Sequence, residues 1–416
     1  MSSIFKKCSQ KKNKFALIGL IFLTTIIHAQ PAINTGIWRG VLKLNDSTEL
    51  PFNFEIKELE HRYSMIISNE EEHITVTEIT LLNDSVFIRL PVFNSEFRLK
   101  NKSNLLTGVW INRGRPTAVY SLPFSATYNE ERRFLETKKE LPPIKERWKV
   151  TFEQGSPNEY FSVGLFQTAN NKTSGTFTTE TGDYRYLEGF SDDKKFIVSC
   201  FDGAHAYLFY AMRKNGELVN GHFYSGKSGH EKWKATPDDQ FELRDPYALT
   251  YLKPGYSKIN FRFKNLQGKI VSLDDPAFKN KVVIVQLMGS WCPNCMDETK
   301  FLSGFYENYK SKGVEIVGLA FERASDFKTA ANNLNRLKDR FHINYELLLT
   351  EKTGKDQASQ ALPMLNTVMA FPTTIYIDKK GNVRKIYTGF SGPATGEEYN
   401  RFVKETTLFI DSLLKE

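Results

Sequence analysis

Val283-Ile284-Val285-Gln286-Leu287-Met288-Gly289-Ser290-Trp291-Cys292-Pro293-Asn294-Cys295 decides how this 416-residue chain is read. An apolar run ends at Met288, a short turn follows, and a Cys-x-x-Cys pair opens a segment whose pattern predicts a helix over Pro293–Lys312. Cys292 falls near the helix N-cap and Pro293 at the first helical position, where its fixed φ fits and its missing N–H is not needed. Free N–H groups and the positive end of the helix dipole stabilise a thiolate at Cys292, which makes it the nucleophile. Cys295 lies one turn further on, close enough to close a small disulfide. The segment therefore predicts an exposed attacking thiol and a sheltered resolving thiol. The alternatives are a plain structural disulfide or half of a zinc site, but zinc wants four ligands and no second Cys-x-x-Cys or His pair stands at such spacing.

Around this motif, buried-type strands alternate with helical segments, the sign of a parallel or mixed α/β sheet. Strands are expected at Val282–Met288, Val314–Phe321, Tyr345–Leu349, Thr373–Ile377 and Val383–Tyr387. Helices are expected at Pro293–Lys312, Ala324–Phe341 and Gly396–Leu414. Upstream, residues 31–236 carry short alternating runs such as Val86-Phe87-Ile88-Arg89-Leu90 and Ala206-Tyr207-Leu208-Phe209-Tyr210, separated by Asn, Asp, Gly and Ser turns. Regular short strands of this kind predict an antiparallel sandwich or barrel. The region also echoes itself: Trp38 is matched by Trp148, and Gly108-Val109-Trp110-Ile111-Asn112 by Gly221-His222-Phe223-Tyr224-Ser225. The expected order is thus a β-rich first copy over 31–128, a proline-broken link ending at Pro142-Pro143, and a second copy over 146–236. A linker over 237–254 and an α/β domain over 255–416 complete it. The aromatic residues of the β region either fill its core or line a ligand cavity.

Residues 1–29 have the layout of a secretory signal, with a basic stretch to Lys14, an apolar run of 13 residues from Phe15 to Ile27, and an expected cut after Ala29. Uncleaved, the segment would act as an anchor, although the run is shorter than the ~20 residues that span a bilayer. Cys8 precedes the apolar run, so it is not placed for lipid attachment. Five lysines in this segment supply +5 of the net charge of +8 and no acid opposes them, leaving +3 on the rest. So small a charge, with signs interspersed, excludes nucleic acid as a partner. A chain that is 40% hydrophobic and 25% charged, with four cysteines, is an ordinary globular protein held by burial and not by crosslinks.

The motif resembles the TlpA/ResA-like thiol-disulfide oxidoreductases of the thioredoxin superfamily. Gly268-Lys269-Ile270-Val271-Ser272-Leu273-Asp274-Asp275 is similar to that family's lead-in strand, and Phe371-Pro372-Thr373-Thr374 to the superfamily's cis-proline loop. The resemblance spans about residues 255–416 and implies a thioredoxin-like domain with Cys292 and Cys295 as a redox-active disulfide. It implies that Phe371 and Pro372 meet the substrate, with Trp291 shielding the sulfurs and touching substrate as well. Thioredoxin has a buried Asp where this chain has Gln286, which cannot transfer a proton. In the TlpA/ResA-like group a Glu three residues after the second Cys is implicated instead, and Glu298 stands there. Met296 replaces the basic residue often found after the second Cys. Lys352–Leu365 exceeds what a minimal thioredoxin needs and reads as an insertion.

The resulting expectation is an exported, periplasmic enzyme that exchanges thiols with protein disulfides, with reduction as the implied direction. No flavin or nucleotide motif is present, so no cofactor is expected. Electrons would come from an upstream thiol donor, in such families often membrane-bound. Other readings stay open: a β-rich ligand- or protein-binding module with an accessory thioredoxin-like domain, or a metal-handling relative. A copper-type relative would want Cys-x-x-x-Cys with a histidine, and a peroxidase would want Thr-x-x-Cys, and neither pattern is met. Cys200 sits among apolar neighbours and reads as a small buried hydrophobe, against the alternative of a resolving or intermolecular thiol. Asp202, His205, His222 and His230 would form a metal site only if adjacent strands aligned them, and otherwise are surface polars. His342 is a lone histidine after a helix.

Overall fold

The computed structural model describes residues 32–114, 119–135, 144–169, 171–324 and 326–416. The expected signal segment and the Pro142-Pro143 link lie outside the described residues.

Nine antiparallel strands form the first sheet: β1 (Gly36–Lys43), β2 (Glu49–Leu59), β3 (Arg62–Asn69), β4 (Glu72–Val76), β5 (Glu78–Leu82), β6 (Ser85–Arg89), β7 (Ser95–Lys102), β8 (Leu105–Asn112) and β9 (Tyr120–Tyr128). Their order is β4-β3-β2-β1-β9-β8-β7-β6-β5. The chain thus winds up and down, β1 pairs with β9, and the sheet's two ends are the sequence neighbours β4 and β5. The second sheet repeats that order with β10 (Ile144–Phe152), β11 (Tyr160–Ala169), β12 (Lys172–Thr179), β13 (Gly182–Asp183), β14 (Leu187–Ser191), β15 (Lys195–Phe201), β16 (Ala206–Lys214), β17 (Glu217–Ser225) and β18 (Gly229–Pro237). Here β10 pairs with β18, and β11 pairs with β12 as well as with β10, so eight strands close into a barrel with β13 appended to β12. Trp38 and Trp148 hold equivalent places, each on the opening strand beside the last strand of its sheet, opposite Tyr128 and Pro237.

The aromatic residues fill the cores. Along β7, buried and solvent-facing residues alternate as a half-buried strand requires. In the second barrel Phe209 stacks on Phe223 at 4.2 Å and packs against Phe177 at 4.6 Å, with Trp148, Phe152, Phe196 and Trp233 around them. The first core is completed from its neighbour: Phe201, at the end of β15, stacks on Phe52 at 4.5 Å and meets Phe97 and Trp110, and Phe190 and Leu208 join the same cluster.

The C-terminal domain is a mixed sheet of β19 (Arg262–Asn265), β20 (Ile270–Ser272), β21 (Val282–Met288), β22 (Val314–Ala320), β23 (Glu346–Leu349), β24 (Thr373–Ile377) and β25 (Val383–Thr388), in the order β20-β19-β23-β22-β21-β24-β25. Helices α1 (Pro293–Tyr309), α2 (Phe327–Phe341), α3 (Gly354–Ala361) and α4 (Glu397–Lys415) pack on it. All seven residues of β21 are buried, which is why that strand is an unbroken apolar run apart from Gln286. Parallel β22 on one side and antiparallel β24 on the other set its register.

The expected strands of this domain are present, and helix ends differ by a few residues. A 3₁₀ turn over Lys310–Lys312 finishes the first helix, and α2 starts at Phe327, where the Asp326 carboxylate accepts from the Thr329 N–H at 2.8 Å. The stretch read as an insertion contains α3. Its Gly354 and Pro363 look like loop punctuation, yet Ala358 is fully buried and anchors the turn of helix between them.

Candidate active site

Strand β21 ends at Met288 and the chain turns into α1 with Cys292 as N-cap and Pro293 at the first helical position. The Cys295 N–H donates to Cys292 Sγ at 3.3 Å, and Cys292 Sγ in turn donates to the Phe371 carbonyl at 3.4 Å. The Phe371–Pro372 peptide is cis, and the residues that follow it enter β24 directly beside β21. The sheet register therefore brings the Cys-x-x-Cys turn and the proline loop together. Cys292 and Cys295 are both free thiols. Burial pushes the Cys295 thiol well above its ordinary range, and the neighbouring Cys292 and Glu298 push the same way.

Glu298 lies one turn below, fully buried. Its Oε1 accepts from Thr374 Oγ1 at 2.6 Å and its Oε2 from Gln286 Nε2 at 2.8 Å. Gln286 and Thr374 are cross-strand partners, so one carboxyl ties helix, central strand and proline loop. Burial pushes Glu298 up to about 7, and the two hydrogen bonds only partly oppose it. Gln286 is thus the clamp that holds the acid, and also reaches the Cys295 carbonyl at 3.4 Å. Met296, in place of a basic residue, is buried in the core.

Trp291 donates its indole N–H to the Phe321 carbonyl at 2.9 Å, stands edge-on to Phe371 at 5.7 Å, and carries the Arg323 guanidinium 3.4 Å above its ring. Ser290 is fixed by Glu322, whose carboxylate accepts from the Ser290 N–H and hydroxyl at 2.6 Å each. Trp291, Cys292, Cys295, Glu298, Phe371 and Pro372 therefore come together as expected from the motif.

One expectation is corrected. Cys292 is not exposed: only 7% of it meets solvent. Cys292 is part of its own domain's core and lies against Phe371, and the β12–β14 connection of the second barrel lies on the Cys-Pro-Asn-Cys turn beside it. Asn294 Nδ2 donates to the Asp183 carbonyl at 3.2 Å, and the approach is so close that a Cβ on Gly182 would lie 1.9 Å from that amide nitrogen. Gly182 has φ +140°, a conformation that only glycine adopts at little cost. Asp183 Oδ2 accepts from the Gly392 N–H at 2.5 Å. Arg185 donates to the Pro293 carbonyl at 3.1 Å and to Asp297 Oδ2 at 2.5 Å, pairs with Glu72 of the first sheet, and has its Nε 3.4 Å from Asp202. Its φ of +61° is one that long side chains rarely take, and these partners hold it there. Burial, with Glu72, Asp183 and Asp202 nearby, pushes Asp297 up to about 7 despite Arg185. Tyr207, packed against the barrel core, has its hydroxyl pushed well up by burial.

The other sequence candidates fall elsewhere. Cys200 is fully buried in the second barrel's core and its thiol is pushed well up. His205 is bonded to Asp202 at 3.1 Å, while His222 and His230 face each other at 2.9 Å on neighbouring strands, so the four do not converge on one point. His342 caps α2 with φ +51°.

The geometry is that of a dithiol beside a proline loop, and comparison with known proteins agrees with it. The Redoxin family pattern matches residues 254–401. The thiol-disulfide oxidoreductase ResA of Bacillus thuringiensis subsp. konkukian is 30% identical over 148 residues, covering 36% of this chain and 75% of that protein. This chain belongs to the ResA (TlpA-like) thiol-disulfide oxidoreductases. ResA of Bacillus subtilis is 28% identical over 153 residues, 37% of this chain and 77% of the relative. Among solved structures, a thioredoxin-family thiol:disulfide interchange protein from Chlorobium tepidum aligns with 22% identity over 36% of this chain and 94% of its own, at a TM-score of 0.27. The likeness covers the C-terminal domain, so the ResA-type oxidoreductase here carries two β sheets in front of it.

Proposed function

We propose that this oxidoreductase is an exported reductase of protein disulfides working through Cys292 and Cys295, with Glu298 moving the proton of the second thiol. The observation that carries the reading is the joint placement of an N-cap thiol, a buried second thiol one turn on, and a buried carboxyl held at about 7 by environment.

Cys292 sulfur attacks one sulfur of the substrate disulfide, that S–S bond breaks, and the departing thiolate takes up a proton. The mixed disulfide sits against Pro372 and Phe371, whose carbonyl already receives the Cys292 thiol. Cys295 must then ionise in a setting that resists it. Glu298, ionised for a large fraction of the time near neutral pH, accepts that proton within the cluster. Cys295 attacks Cys292, the second substrate thiol leaves, and the Cys292–Cys295 disulfide remains. An upstream thiol donor, membrane-bound in the arrangement we favour, restores the dithiol. The basic and apolar layout of residues 1–29 supports export to a periplasmic site.

The test is the equilibrium reduction potential of the pair in dithiothreitol and glutathione buffers, with Cys292→Ser as control. A value near −270 mV supports a reductase, and one near −120 mV makes the protein an installer of disulfides. Absence of a reversible couple rejects the assignment of these two residues.

A further inference from the structure

Because the second barrel covers the Asn294 side of the motif, substrate needs another way to the sulfurs. A cleft of about 520 Å³ opens on the Trp291 side, walled by the first sheet, the second barrel and the thioredoxin-like domain together. Ser290 and Trp291, the two residues before Cys292, form its inner wall, and His205 lines it from the second barrel, stacked at 4.4 Å on Tyr207. The volume suits a few residues of extended chain and not a folded domain.

The walls are cationic, each from a different part of the fold. Arg113 comes from the end of β8, Lys227 from the β17–β18 turn, Arg323 from the segment after β22 and Arg336 from α2. Among the described residues one carboxylate lines the cleft, Glu322, and both its oxygens are engaged by Ser290. Arg113 is paired with Glu96 at 2.9 Å and Arg323 lies on Trp291. Arg336 spends one nitrogen on Asn333 at 3.0 Å, while its buried Nε and Nη1 have no partner among the described residues. Buried guanidinium donors without acceptors are uncommon in folded proteins and suit a carboxylate, which the planar fork takes two-handed.

We propose that this three-walled cleft is the substrate entrance, and that its preferred substrate is a disulfide carried on a short acidic peptide segment. The proposal rests on Cys292 and Cys295 being the working pair. Two electrons pass from that dithiol to the peptide: its S–S bond breaks, the Cys292–Cys295 bond forms, and the two dithiol protons end on the two peptide thiols. Carboxylates flanking the substrate cysteine would meet Arg336 and Lys227 while the sulfur passes Trp291.

The experiment uses the full chain, reduced and freed of reductant, mixed with two peptide disulfides of equal length, one flanked by Glu and one by Lys, and with the neutral 2-hydroxyethyl disulfide. Acid quenching and thiol labelling give the rates. The Glu-flanked peptide is expected to react at least about tenfold faster at low salt, with the ratio falling toward one near 0.5 M salt. In the double variant Lys227→Glu/Arg336→Gln the ratio should fall to one or invert. Lys415→Glu makes a charge change at the far end of α4, roughly 28 Å from its start, and should leave the ratio where it was. Because each ratio is taken within one protein, a loss of folded material cancels. A ratio of one in the parent chain, or an equal response to Lys415→Glu, overturns the cleft while leaving the dithiol reading intact. No reaction with any of the three disulfides overturns both.

Discussion

The second barrel meets both neighbours through polar links, among them Asn69 to the Phe201 backbone and Arg185 to Glu72 on the side of the first sheet, but only that side adds an aromatic core. Toward the first sheet it sends Phe201, fully buried against Phe52, Phe97 and Trp110, a contact that only loses by being opened. Toward the catalytic helix it sends Gly182, Asp183 and Arg185, a contact of hydrogen bonds and ion pairs. Buried charges cost several kcal/mol to desolvate, and their mutual attraction returns only part of it. An apolar seam is therefore a permanent joint, whereas a charged seam is bound by directional contacts that water can replace. The seam with the first sheet thus has an apolar core beside its polar links, and the seam with the helix rests on polar links.

Four substitutions would break or sharpen that contrast. Phe201→Ala should cost about 4 kcal/mol in chemical denaturation, since it empties the shared core, while the rate of Cys292 alkylation in the folded protein stays as it was. A faster alkylation would mean that the two seams are one. Arg185→Ala leaves Asp297, Asp202 and Glu72 buried without their shared cation and should cost about 3 kcal/mol. Here Cys292 alkylation should rise at least about tenfold, and an unchanged rate would mean that the polar seam does not cover Cys292.

Glu298 separates site from seam. Its folded value of about 7 lies above its ordinary 4.5, so the folded chain holds that proton more tightly than the unfolded one. The stability this lends is full below about pH 4.5 and is lost as pH rises through 7. Glu298→Gln removes the dependence, so the variant should gain on the order of 3 kcal/mol on the parent across that window, while resolution by Cys295 slows. A difference that does not move with pH would argue against the buried acid. Cys200→Ala is the smallest expected change, about 1 kcal/mol for a small buried side chain, with the redox couple unaltered.

The catalytic half was largely legible because its signals are local. Seven consecutive apolar or amide residues at 282–288 followed by Cys-Pro-Asn-Cys read as a covered strand entering a helix, and the family resemblance marks Phe371-Pro372 as the loop that faces it. Glu298 was reachable through the family resemblance, by its place three residues after Cys295, but its two holders were not, because Gln286 and Thr374 become neighbours only through the β21–β24 register. The cover over Cys292 left no trace in the string. Asp183 and Arg185 meet Asn294 and Asp297 across more than a hundred residues, and Asp-Tyr-Arg after a glycine looks like any turn. Helix α3 was hidden for a related reason: eight residues between Gly354 and Pro363 are too short for periodicity to speak, and one buried Ala358 decides them.

The fit of Gly182 against Asn294 has a consequence for modularity. An exchanged thioredoxin-like domain from a relative would keep its own dithiol, yet it would meet a cover cut for asparagine at 294 and aspartate at 297. A larger side chain at the first position collides with Gly182, and an uncharged one at the second removes one of the carboxylates that Arg185 serves. Residues 182–185 and 293–297 are thus a single unit of design split between two domains, and a chimera that divides them divides the lock from its key.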